Sequence, residues 1–128
     1  SIHCNASVVK SINGIETFAL TPAGAPSSSD SKANFTRNPG NAYDRQNFRL
    51  AYEIQRQLVW KTGANDRGVK HARFYVIKNV ACPAVLIETG FLSNYREGTQ
   101  LLTWKRQQAT VNAIVDGILQ YVSATKPR

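Results

Sequence analysis

At 128 residues and 42% apolar content, the chain is long enough for one hydrophobic core and too short to require a second. No apolar run approaches the roughly 18 residues of a membrane span, and no charged-then-apolar leader opens the sequence. Sixteen Lys and Arg against eight Asp and Glu leave a net charge of +8, which attracts polyanions such as nucleic acid, anionic lipid or an acidic cell wall without choosing among them.

Residues 1–6, SIHCNA, form a short β-type run that carries His3 toward its C-terminal end, where open α/β sheets bind ligands. Seven residues separate it from a second β-type run, GIETFAL at 14–20. A parallel return needs a crossover of about a dozen residues or more, so the second strand is expected to run antiparallel to the first. Residues 21–47, rich in Ser, Pro, Gly and Asn, read as a long mobile loop that leaves the sheet on the side away from His3.

The spacing predicts a helix over 46–62, with Phe48, Ala51, Ile54 and Leu58 on one face, Arg49, Arg56, Gln57 and Lys61 on the others, and Gly63 as its stop. A Gly-containing turn, DRGVK at 66–70, then leads to a strand-like run at 73–78. Pro83 introduces a second apolar run at 84–87, which carries Glu88 into a turn at Thr89 and Gly90. Asn94 and Glu97 have the spacing of a capping box for a short helix from Tyr95 to about Leu102. In the last helix Val111, Ile114, Val115, Ile118 and Val122 make an apolar stripe expected to pack on the sheet. The sum is an α/β fold, a mixed, mostly parallel sheet flanked by helices, in one domain over 1–128.

Cys4 near the end of one strand and Cys82 before the start of a parallel one stand about five residues apart at roughly 3.3 Å each, beyond disulfide reach, and both read as small buried side chains. His3 and Glu88 are the residue types that metal-assisted hydrolysis needs, and they are expected to converge on one side of the sheet. His71 reads as a surface residue, and Glu16 as a packing or hydrogen-bonding residue.

SIHCNA, GIETFAL, DRGVK and PAVLIETGFLSN at 83–94, in this order, resemble the zinc-dependent N-acetylmuramoyl-L-alanine amidases, the type-3 cell-wall amidases. The resemblance runs from Ser1 to about Val122 and is most specific around Glu88. It implies a phosphorylase/hydrolase-like amidase fold, Zn2+ as cofactor, His3 as a zinc ligand and Glu88 as the catalytic carboxylate. Zinc would polarise the amide carbonyl and acidify water, and Glu88 would move the proton to the departing L-alanine nitrogen. The implied substrate is peptidoglycan and the implied location extracytoplasmic in bacteria, in the periplasm, the cell envelope or the medium.

Arg67 and Lys70 are candidates for holding the anionic stem peptide, and Asn5 for binding or orienting at the same place. The family pattern also puts a Gly-His-Gly-Gly turn bearing one zinc histidine, and then a zinc glutamate, upstream of the SIH strand. The chain therefore resembles the C-terminal portion of an amidase domain, N-terminally incomplete, with the remaining part as its partner. Two other readings are a cell-wall-binding module that keeps the fold without hydrolysing, and a basic nucleic-acid-binding domain. The second lacks the interleaved aromatic and basic residues of a stacking platform.

Overall fold

The computed structural model describes residues 1–126. Four strands form the main sheet in the order β1 (Ile2–Asn5), β6 (Leu86–Phe91), β2 (Ile15–Leu20) and β5 (Asp66–Ala72). β1 lies parallel to β6 and β5 parallel to β2, while β2 and β6 are antiparallel, so β2 opposes β1 as its short connection requires.

Two helices lie on one face. α1 (Asp44–Thr62) ends at Gly63, whose left-handed backbone lets its N–H reach the Val59 carbonyl at 3.0 Å. α4 (Trp104–Thr125) starts at Thr103, whose hydroxyl accepts from the Arg106 N–H. Ile15 and Ala19 of β2, Ile87 of β6, Ala51, Ile54 and Leu58 of α1, and Ala113 and Ile114 of α4 make the core between these layers. Gln55 secures α1 to the sheet: it accepts from the Thr17 hydroxyl at 2.8 Å and donates to the Ile15 carbonyl at 2.9 Å and the Asp66 carboxylate at 2.7 Å.

The opposite face is covered at one end only. There a short 3-10 helix (Pro39–Tyr43) and α2 (Tyr75–Lys78) bring Ile77 onto Leu20 and Leu86. The other end, where β1 and β6 finish and β2 and β5 begin, carries the polar residues described below. α3 (Tyr95–Leu101) links β6 to α4.

Several expectations are corrected. The stretch 73–78 is not a strand: Phe74 caps the one-turn helix α2, setting its ring edge-on to Phe18 at 5.1 Å, and Ile77 three residues on turns into the same small core. The strand is instead the supposed turn DRGVK, extended to Ala72. Residues 21–47 hold a hairpin of β3 (Pro26–Ser27) and β4 (Asp30–Ala33), the 3-10 helix and the first turn of α1. Arg73 binds that hairpin through the Ser27 hydroxyl and the Ala25 carbonyl.

On α1, Phe48 is half exposed, whereas Gln57, expected outside, is buried. Both cysteines are unbridged but exposed, because β1 is an edge strand and Cys82 lies in the turn before Pro83. The α4 stripe is only partly used. Ile114 is buried, but Val111, Val115, Ile118 and Val122 are 42–53% exposed, because α4 leans on α1 and the sheet offers no further surface beneath them.

The α1–α4 contact depends on Gly117, where an added Cβ would stand 2.6 Å from the Ile54 Cα and 3.0 Å from its nitrogen. Gly117→Ala is expected to destabilise by about 1–3 kcal/mol, the strain exceeding the gain in helix propensity. A thermal melt should fall by about 3 °C or more, and an unchanged or raised midpoint would rule out so close an approach.

Candidate active site

Register lines three polar residues across the sheet, and a hydrogen bond adds a fourth. His3 on β1 is the partner of Glu88 on β6, Glu88 is the partner of Glu16 on β2, and Arg67 on β5 lies beside Glu16. Directly opposed residues share a face, and this face is the one free of α1 and α4. The predicted pair His3 and Glu88 thus stands on adjacent strands with side chains on one side.

Two bulges shape the row. Between His3 and Asn5 the partner strand advances from Glu88 to Phe91, and between Ile15 and Thr17 it advances from Asp66 to Val69. Each inserts one extra residue beside a row member, which bends the strand and re-aims its side chain. Thr89 and Gly90, expected as a turn, are therefore bulged strand residues. At the first bulge the Thr89 hydroxyl donates to the His3 carbonyl at 2.9 Å, joining β6 to β1 beside the pair.

Behind the row lies a carboxylate whose role sequence reading missed. Asn94 caps α3 by accepting from the Glu97 N–H, but the Glu97 side chain does not return to the cap. It accepts instead from Gly14 N–H at 3.0 Å and Phe91 N–H at 2.7 Å, joining the start of β2 to the end of β6. Gly90, at φ 149°, permits this, since a Cβ there would lie 2.9 Å from the Glu97 carboxyl carbon. Buried Arg106 stands 3.9 Å from Glu97 and donates to the Thr89 carbonyl at 3.2 Å. A carboxylate three residues after Asn is the ordinary sequence sign of a cap, and nothing local signals this longer reach.

The two central carboxyls have opposite surroundings. Glu16, 4% exposed, takes Asn5 Nδ2 on one oxygen at 3.0 Å, and on the other Arg67 Nε at 2.8 Å and Lys70 Nζ at 2.5 Å. Burial would push this carboxyl up, but Lys70 and Arg67 together hold it below its ordinary value. Glu88 has no such partners, and its buried Oε2 is without a hydrogen bond among the described residues. Burial pushes Glu88 above the usual carboxylate range; His3 pulls it back and Glu16 adds to the rise.

His3 is exposed, and its Nε2 lies 2.7 Å from the Ser1 hydroxyl. Asn5, Arg67 and Lys70 all meet at Glu16. His71 sits on the opposite edge strand, partly buried and stacked on Phe48 at 6.0 Å, remote from the row.

Against known proteins, the family described as N-acetylmuramoyl-L-alanine amidase matches residues 1–120. The N-acetylmuramoyl-L-alanine amidase LytC of Bacillus subtilis is 36% identical over 121 residues, 94% of this chain and 21% of that protein. The crystal structure of N-acetylmuramoyl-L-alanine amidase from Clostridium difficile 630 superposes with a TM-score of 0.78 at 28% identity, over 98% of this chain and 57% of that one. The catalytic domain of CwlV, the amidase of Bacillus (Paenibacillus) polymyxa var. colistinus, gives 0.72 at 30% identity, over 96% and 56%. The mixed sheet flanked by helices is thus the α/β fold of these amidase structures. The chain belongs to the N-acetylmuramoyl-L-alanine amidase family and spans about half the length, or less, of these relatives.

Zinc in such a site needs three protein ligands and an open position. Among the described residues no group of three or more His, Cys, Asp and Glu is placed to hold a metal, so His3 and its neighbours do not by themselves fit a zinc ion. The purified chain is accordingly expected to retain well under one zinc per molecule after dialysis, read by elemental analysis; stoichiometric zinc would contradict this.

The Glu16 cluster gives a second prediction. Glu16→Gln should lower stability at neutral pH by about 1–3 kcal/mol, since two cations lose their buried partner while keeping some solvent. Because the folded pKa is depressed, the contribution is present above the ordinary value of 4.5 and lost as pH falls through the folded value. Urea unfolding of both proteins across pH should therefore show the difference shrinking in acid; a constant difference would mean that Glu16 is not ionised in the fold.

Proposed function

We propose that this chain is the C-terminal portion of a zinc-dependent amidase domain that hydrolyses the bond between N-acetylmuramic acid and L-alanine in peptidoglycan, outside the bacterial cytoplasm. The observation that carries this reading is Glu88: a carboxyl raised by burial, with an unpartnered oxygen, directly across from His3. His3, exposed at the sheet edge, would hold the metal together with ligands from a further part of the domain. Zinc bound there would supply Lewis-acid activation of the carbonyl and acidification of water.

Glu88 then does the proton work. A carboxylate with a raised pKa is a stronger base, and Glu88 has an oxygen free to take a proton from water and hold it until the more basic departing nitrogen accepts it. Glu97 and the Thr89 hydroxyl keep the ends of β1, β2 and β6 in place around it. Arg67 and Lys70 present positive charge for the carboxylates of the stem peptide, and Asn5 braces Glu16 from the β1 side.

The half-exposed apolar stripe of α4 and the unpaired edge of β1 are the surfaces that the rest of the domain would cover. A cell-wall-binding module without hydrolysis is the second reading, and the incomplete ligand set favours it for the chain alone.

Two variants in the complete domain test the roles. Glu88→Gln should keep zinc while lowering turnover of peptidoglycan by on the order of 10² to 10⁴. His3→Ala should lose zinc and activity together. Zinc content and release of dye-labelled cell wall are measured in parallel, and near-normal turnover by Glu88→Gln would remove Glu88 from the mechanism.

A further inference from the structure

Arg67 is held in an unusual way for a residue on an open sheet face. Its Nε donates to Glu16 at 2.8 Å, and its guanidinium lies over the Phe91 ring at 5.0 Å. Both attachments leave the two terminal nitrogens without a protein partner among the described residues, as a planar fork with fixed direction. Lys70, on the same carboxylate and 5.9 Å from the Phe18 ring, adds a second fixed cation. Both side chains stay about 30% exposed, whereas Glu16 is nearly closed to solvent. Two cations on one carboxylate leave one positive charge in excess.

We infer that Glu16 is a positioning residue, fixing Arg67 and Lys70 as a carboxylate-binding fork beside Glu88 that selects peptides carrying a free acid over their amides. This rests on the proposed amidase reading for the identity of the substrate and extends it to Glu16. A bidentate carboxylate is the anion that the free end of a guanidinium fits. A neutral amide presents an N–H₂ group to the same donors and loses the interaction. Holding the cations in advance removes the rotamer entropy that two long side chains would otherwise give up on binding.

Equilibrium binding tests this separately from turnover. The probes are an N-acylated L-alanyl peptide ending in a free carboxylate and the same peptide amidated, titrated by calorimetry into the complete domain and its variants, each carrying Glu88→Gln so that turnover does not contribute heat. With Glu16 and Arg67 intact, the domain should prefer the acid by about tenfold. Glu16→Gln should reduce that preference to about twofold or less, with binding of the amide unchanged.

A pocket that merely attracts anions predicts the opposite, because Glu16→Gln removes a negative charge. Stronger acid binding by this variant would overturn the inference, as would equal binding of acid and amide by the domain with Glu16 and Arg67 intact. Arg67→Lys keeps the charge and removes the fork, so it should also lose the preference; if Glu16→Gln fails to fold, Arg67→Lys decides. Release of the peptide amine by the wild type is scored apart. Its absence would end the amidase reading and leave the binding result to stand or fall alone.

Discussion

The antiparallel pairing of β2 with β6 sets two carboxyls, Glu16 and Glu88, directly opposite each other on a partly desolvated face. Like charges so placed destabilise a sheet, and the surroundings resolve this by making the pair unequal. Arg67, Lys70 and Asn5 all go to Glu16, which stays ionised. Glu88 receives none of them, and the charge opposite adds to what burial already does to it. Carboxyls whose environments drive their pKa values apart divide the labour of acid–base chemistry. Here Glu16 is the carboxyl held ionised by its cations, and Glu88 the one raised by burial.

That inequality requires backbone geometry that a regular sheet lacks. Without its bulge, β5 would keep strict alternation, and Arg67 and Lys70, three residues apart, would face opposite ways. The extra residue at 67–68 lets both reach Glu16. The bulge at 89–90 likewise lets Glu88 sit opposite His3 while Phe91 still closes onto Asn5, and Gly90 leaves room for Glu97 behind it. Removing water from Glu97 and Arg106 is costly unless they are paired and hydrogen-bonded. Glu97 is satisfied by two strand-end N–H groups, so its burial serves to hold the ends that carry the row.

Much of this was legible in the sequence. The SIH strand, the antiparallel second strand, the two long helices with the Gly63 stop, and the Glu88 strand follow from period, connection length and punctuation. What misled was local. Residues 73–78 have strand-like composition, yet Phe74 and Ile77 reach one small core only through a helical turn. DRGVKHA looks like a turn because the bulge breaks its alternation and its charges are satisfied by a residue 51 positions earlier, Glu16. Asn5, Arg67 and Lys70 could be picked out individually, but their meeting at Glu16 is a product of strand order, which local sequence does not encode.

The α4 stripe marks the same boundary between local and global information. Period 3.6 identified an apolar face correctly as a face, but which surface it meets depends on what else the fold provides. Within this chain α4 turns its small residues, Ala113 and Gly117, onto α1 and leaves Val111, Val115, Ile118 and Val122 half open. On the edge strand β1, Ile2 is likewise left 64% exposed. Strand order likewise sets the two paired polar residues apart: Glu88 on β6, with a strand on each side, is half-buried, whereas His3 on the edge strand is exposed. That difference in access cannot be read from the local sequence, because it depends on which strands lie beside β1 and β6.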